Sequence, residues 1–288
     1  MKDTLLKQLF KPSPKQRLIS FFLLIGFMLP GLVLADIAVL IHGYHSSGNA
    51  WRYNGITRIL ADNGWHDAGS YSVYGNKLSL DNTGKHLVTV ELPSEAPIEI
   101  QANLLSQYLG DISKRFAQQN LHLIGHSAGA LVARLSLVND YALVSAKNST
   151  VKAAFYPKVE QLISIATPHL GSPIADMAEK ASDTPIGFFA PLFGADEINR
   201  SSRLYKQLGQ EDKNYFLFWL NRQPHPPMYY TSIIRANGSI LKGDWLVPPR
   251  SQNMAYVPAI GAKARVLLTP GTHDLKFADG LLLIRLLP

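Results

Sequence analysis

Leu121 to Gly129 reads LHLIGHSAG, and the order of these residues decides the fold. A short apolar run feeds a serine flanked by glycines, and the helix-compatible segment Ala130 to Val138 (ALVARLSLV) follows at once. Strand, sharp turn and helix therefore succeed one another, with Ser127 at the apex. In so tight a turn any side chain at Gly125 or Gly129 would collide, while the strained apex pushes the serine hydroxyl outward. The G-x-S-x-G pattern is short enough to recur by chance, so its surroundings carry the weight of the reading.

Working outward, Ile37 to Ile41 (IAVLI) reads as a buried strand that runs into His42, Gly43 and Tyr44. The backbone N–H of Tyr44, just beyond the His-Gly pair, and that of Ala128, directly after the serine, are the expected donors of an oxyanion hole. Downstream, Met228 to Ala236 (MYYTSIIRA) reads as a strand, and the loop after it carries Asp244 in GDWLVP. The next strand-like run, Ala264 to Leu268, leads through Thr269, Pro270 and Gly271 to His273. Ser127, Asp244 and His273 thus occur in the chain order nucleophile, acid, base, with acid and base each on a loop after a strand.

These motifs resemble those of bacterial lipases and esterases of the α/β-hydrolase superfamily. The resemblance rests on VLIHGYHSSG (Val39 to Gly48), GHSAG (Gly125 to Gly129), ATPHLGSP (Ala166 to Pro173) and DWLVPPRS (Asp244 to Ser251), which together span the chain from about Asp36 onward. It implies an α/β-hydrolase fold, a mostly parallel sheet with helices on both faces and a cap or lid insertion. It also implies a Ser-His-Asp mechanism for carboxylic esters, lipid-like ones in particular, with no metal or organic cofactor. An acyltransferase using the same triad is the alternative, with an alcohol in place of water. A binding protein on an inactive hydrolase fold is the third reading, disfavoured because every triad position is occupied.

The acid has two competitors. Asp274 adjoins His273, but a sequence neighbour rarely faces the imidazole Nδ1; Asp176, in a loop after the strand Gln161 to Ile165, is the reserve. His126 and His169 lie inside motifs, where packing and hydrogen bonding around the site are the expected roles.

The segment from about Ser172 to Pro227 interrupts the alternation of strands and helices and matches the resemblance least. It contains IGFFAPLFGA (Ile186 to Ala195) and YFLFWL (Tyr215 to Leu220), rich in large apolar side chains. Placed as a cap over Ser127, Phe188, Phe189, Phe193, Phe216, Phe218 and Trp219 would line an acyl pocket. Packing of the insertion onto the domain would use the same residues, and both readings stand at this point.

The chain has 288 residues, 47% of them hydrophobic, enough for one sizeable core. Lys2, Lys7, Lys11, Lys15 and Arg17 precede an apolar stretch, Leu18 to Leu34, that ends in small residues around Ala35. Charge, length and cleavage motif read as a secretory signal peptide over 1–35, followed by one domain over 36–288 in a periplasm or outside the cell. An uncleaved anchor is disfavoured, because the first strand starts without a linker. Residues 1–35 hold five basic side chains and one acid, so their removal lowers the formal net charge from +7 to +3. A mildly basic chain without an aromatic-interleaved basic stripe points away from nucleic acid. The resemblance implies an ester or lipid substrate, and any membrane contact is expected only through the surface. Cysteine is absent, which excludes disulfides and thiolate chemistry.

Secondary structure follows from the same spacing. It predicts a helix from about Ala50 to Asn63, extended segments at Ser70 to Gly75 and His86 to Leu92, and a long helix from Ile98 to about Gln118 with Leu104, Leu105, Tyr108, Leu109, Ile112 and Phe116 on one stripe. A closing helix is expected over Leu275 to Leu287.

Overall fold

The computed structural model describes residues 36–73, 78, 84–115, 119–146, 157–176, 202–236 and 244–288. By contacts the chain divides into Met1–Val33 and Leu34–Pro288, and the described residues all belong to the second unit. The expected signal peptide therefore lies outside the described residues.

The strands are β1 (Asp36–Ile41), β2 (Trp65–Tyr71), β3 (Lys85–Val90), β4 (Asn120–His126), β5 (Val159–Ile165), β6 (Tyr229–Arg235) and β7 (Ala264–Thr269). They form a seven-stranded sheet in the order β2-β3-β1-β4-β5-β6-β7, parallel throughout. This is the α/β-hydrolase fold. Successive residues of β1 alternate between two cores: Ile37, Val39 and Ile41 face one, Ala38 and Leu40 the other. A strand buried on both faces must read as an unbroken apolar run, which is why IAVLI does.

The helices are α1 (Ala50–Tyr53), α2 (Ile56–Asp62), α3 (Ile98–Arg115), α4 (Ala128–Ser145), α5 (Ser202–Leu208), α6 (Tyr215–Leu220), α7 (Pro249–Gln252) and α8 (Phe277–Leu286). The stripe of α3 buries Leu105, Tyr108, Leu109 and Ile112 in the first core together with Leu131, Val132 and Leu135 of α4. Ile56 and Leu60 of α2 and Leu283 of α8 fill the second. Phe116 lies outside the described residues.

The strand order reverses between β1 and β4, which are neighbours in register from Asp36↔Asn120 to Ile41↔Gly125. Loops leaving the carboxyl ends of two such strands diverge to opposite sides and open a crevice, the usual place for a ligand in a sheet of this kind. The loop after β1 carries Tyr44, and the turn after β4 carries Ser127.

Two local expectations are corrected. The helix expected over Ala50 to Asn63 is broken into α1 and α2 at Gly55, whose φ of 72° a helix cannot accommodate. The extended segment expected from Ser70 is the end of a strand that already begins at Trp65, and Ser72 and Val73 lie beyond it.

Candidate active site

Ser127 stands between β4 and α4 with φ 51° and ψ −129°, a conformation that costs an L-residue free energy. The surroundings impose it. Ser127 N donates to Ile165 O at 2.9 Å, tying the turn to β5, and a Cβ at Gly125 would come within 2.5 Å of the Ala130 backbone. At Gly129 it would strike the carbonyl of His42, so both motif glycines are required by close approach rather than by flexibility.

The structure brings the three expected residues into one chain of hydrogen bonds. His273 Nε2 lies 2.8 Å from Ser127 Oγ, and His273 Nδ1 lies 2.7 Å from Asp244 Oδ2. Because a carboxylate only accepts, Nδ1 carries the proton and Nε2 is left to accept from the serine hydroxyl. Asp244 is buried, and Oδ1 accepts from Leu246 N at 3.1 Å and Val247 N at 2.7 Å. Gln252 Nε2 donates to Oδ2 at 3.2 Å. Neither competitor reaches the imidazole: Asp176 Oδ1 accepts from Gln210 N, and the Asp274 carboxylate is exposed beside Thr272.

Two details fix the loop after β1, which carries Tyr44, one of the two expected oxyanion donors. His42 Nδ1 donates to Gly43 O at 3.0 Å, and its Nε2 accepts from Leu92 N at 3.1 Å, so the turn after β1 is pinned to the end of β3. Burial holds this imidazole below its ordinary pKa, which keeps it neutral and able to accept. Gly43 brings the chain so close to the nucleophile that a Cβ there would lie 2.8 Å from Ser127 Cβ. The next residue is Tyr44, and Ala128 opens α4, where first-turn N–H groups have no partner within the helix.

Ser127 and His273 open into a cavity of about 320 Å³. Its apolar wall is built by Tyr44, Ile174, Ala175, Tyr205, Leu208, Leu246 and Val247; His45, Ser46, Asn54 and Asp274 supply polar lining. Of the aromatics expected there, Phe188, Phe189 and Phe193 lie outside the described residues. Phe216, Phe218 and Trp219 are not part of the lining, which corrects the acyl-pocket expectation for α6. The helix points Leu217 and Leu220 into the first core with Phe216 and Trp219 packed beside them, while Phe218 is exposed beneath the Arg222 guanidinium at 3.6 Å. Within the insertion it is instead Ser172, Ile174 and Ala175, with Tyr205 and Leu208 of α5, that reach the cavity, and Tyr205 Oη lies 2.6 Å from Tyr44 Oη.

The motif histidines take supporting places. His126 Nε2 donates to His273 O at 2.8 Å; burial, and then the nearby His273, push its pKa down to about 4, so it is neutral. His169 belongs to a buried network around Arg134 that the sequence did not suggest. Arg134 donates to His169 Nδ1 at 3.2 Å, Asn221 Oδ1 at 2.8 Å and His225 Nε2 at 3.1 Å. Burial, and then the Arg134 charge, lower His225 to about 3 and His169 well below its ordinary value. Two neutral imidazoles therefore serve as acceptors for the cation, and Asn221 Nδ2 closes the network on His169 O at 2.9 Å. The network joins α4 to the ATPHLGSP loop, whose Pro168 and Ser172 line the cavity.

Comparison with known proteins gives a consistent picture. The sequence profile of a family described as "Putative serine esterase (DUF676)" matches residues 35–185, which include Tyr44 and Ser127. No curated protein matches the sequence. Among solved structures, the mature form of the Bacillus licheniformis lipase BlEst2 is similar at 18% identity over 86% of this chain and 91% of that one, with a TM-score of 0.57. The product of the Listeria innocua gene lin2722 is similar at 14% identity over 83% and 87%, with a TM-score of 0.56. At such identities the likeness establishes the fold.

Proposed function

We propose, from the premise that this chain belongs to the family described as "Putative serine esterase (DUF676)", that it hydrolyses lipid-like carboxylic esters through an acyl-enzyme on Ser127. The observation that carries the reading is the unbroken line Ser127 Oγ, His273 Nε2, His273 Nδ1, Asp244 Oδ2, opening beside an apolar wall.

A serine hydroxyl is a poor nucleophile at neutral pH. As Ser127 Oγ attacks the ester carbonyl, His273 Nε2 takes its proton, and the buried Asp244 carboxylate stabilises the imidazolium and holds it in place. Negative charge gathers on the former carbonyl oxygen, where the N–H groups of Tyr44 and Ala128 would receive it. The imidazolium then returns its proton to the leaving alcohol. Water, deprotonated by the same His273, releases the acid from Ser127.

The wall of Ile174, Ala175, Leu208, Leu246 and Val247 favours an acyl chain as the group it holds. Removing a contact that the chain reaches should cost long esters about 1 to 3 kcal/mol in kcat/KM and leave acetate esters nearly unchanged. A nitrophenyl-ester series on Leu208→Ala and Val247→Ala is expected to show that tilt, whereas Phe218→Ala, on the far side of α6, should give a flat ratio. Lower stability with an unchanged chain-length profile in the first two would mean that they only pack.

Export is part of the same proposal. The charged and apolar composition of residues 1–35 supports cleavage after Ala35, directly before β1. N-terminal sequencing of protein recovered outside the cytoplasm is expected to begin at Asp36; an intact Met1 on a membrane-integral species would contradict it.

A further inference from the structure

Arg235 ends β6, where the loop carrying Asp244 begins, and it pairs in register with Thr269 at the end of β7, where the loop carrying His273 begins. Its guanidinium and the Asp279 carboxylate are each 1% exposed. The pairing is a fork on a fork: Nη1 donates to Asp279 Oδ1 and Nη2 to Asp279 Oδ2, both at 2.7 Å. The second hydrogen of each Nη turns to the base loop, while Nε is buried without a partner among the described residues. Nη1 also donates to Thr269 Oγ1 at 2.9 Å, and Nη2 to the carbonyl of Asp274 at 3.0 Å.

That carbonyl is the neighbour of the one held by His126, so the two successive peptide groups that follow His273 are each gripped by a fixed donor. The backbone of Arg235 faces the other way. Its N–H donates to Gln252 Oε1 at 2.8 Å, and Gln252 Nε2 is the amide that donates to Asp244 Oδ2. One residue thus reaches the base through its side chain and the acid through its main chain.

We infer that Arg235, clamped by Asp279, is the positioning residue that sets the spacing of Asp244, His273 and Ser127. The inference rests on the triad reading proposed above. Asp279 has a second duty that supports it: Oδ2 accepts from Lys276 N at 2.7 Å and so starts α8 immediately after the base loop. Arg235 is needed as an arginine, because a single ammonium cannot meet both carboxylate oxygens, Thr269 and a carbonyl in one plane.

The test is Arg235→Lys in the full chain, assayed below its melting temperature and normalised to folded protein. A loop that drifts by about an ångström should lower kcat by about 10- to 100-fold with KM within about twofold, since substrate binding is not what Arg235 serves. The downfield proton resonance of His273 Nδ1–H should weaken or shift in parallel. If Arg235→Lys does not fold, the neutral pair Arg235→Met/Asp279→Asn keeps the acceptor for Lys276 N and leaves no unpaired charge, and the same loss of kcat is expected of it. Wild-type kcat and an unmoved Nδ1 resonance in the folded variant overturn the inference. A serine-directed phosphonate on the wild-type protein separates the two readings. If it labels Ser127 and the variant is fully active, this inference alone fails; if Ser127 is not labelled, the triad reading fails and the inference with it.

Discussion

Replacing Ser127 by alanine, or His273 by alanine, should lower kcat by up to about 10⁶-fold with the fold intact. The reason for so large an effect is that, in the proposed mechanism, Ser127, His273 and Asp244 act as a unit. Without Oγ there is no atom to form the acyl-enzyme, and without the imidazole the hydroxyl keeps its proton. Removing both should then cost little more than removing either, a non-additivity that separates a shared mechanism from two independent injuries. Stability should change little, because the Ser127 side chain supports no described element and the turn is held by Ser127 N on Ile165 O. Steady-state kinetics on the two single variants and the double variant, with urea denaturation as the control for folding, checks all three statements. Multiplying losses would contradict the account.

Asp244→Asn should lower kcat by about 10⁴-fold, and the hydrogen bonds around the carboxylate say why. Oδ1 accepts from the N–H groups of Leu246 and Val247, and Oδ2 accepts from Gln252 Nε2 and His273 Nδ1. All four partners are donors. An asparagine has one oxygen to offer, so in either orientation its NH₂ meets N–H groups. If the NH₂ faces His273, the ring is driven to the tautomer with Nε2 protonated, which cannot accept from Ser127. If it faces the backbone, the turn at Leu246 and Val247 loses its anchor and a buried donor goes unsatisfied. Full activity in Asp244→Asn would refute the assignment of the acid.

The parts of this site that were legible in the sequence are those set by local chemistry. LHLIGHSAG dictates strand, turn and helix because the turn is tight enough to demand glycines: Gly125 answers to Ala130 close by in sequence, and Gly129 to the carbonyl of His42 at the end of β1. IAVLI reads as a buried strand because both of its faces are covered. The break at Gly55 was hidden because Trp51, Ile56, Ile59 and Leu60 keep nearly helical spacing across it, and one glycine in such a run does not announce a left-handed φ. The aromatics of YFLFWL misled for a related reason: apolar content says that a helix face will be buried, not against what. Tyr205 and Leu208, which do reach the cavity, sit in the plain-looking helix SRLYKQL. Arg134, Arg235 and Asp279 were invisible because each acts across tens of residues of sequence, and only the folded chain shows that buried cations have found buried acceptors.

The central claim is that Ser127 is the activated nucleophile, and covalent capture tests it most directly. Incubation with a fluorophosphonate followed by peptide mass spectrometry should give one adduct per chain, on the peptide containing GHSAG. The adduct should be lost in Ser127→Ala and formed far more slowly in His273→Ala. An unlabelled wild-type protein, or an adduct on any other serine, would contradict the account.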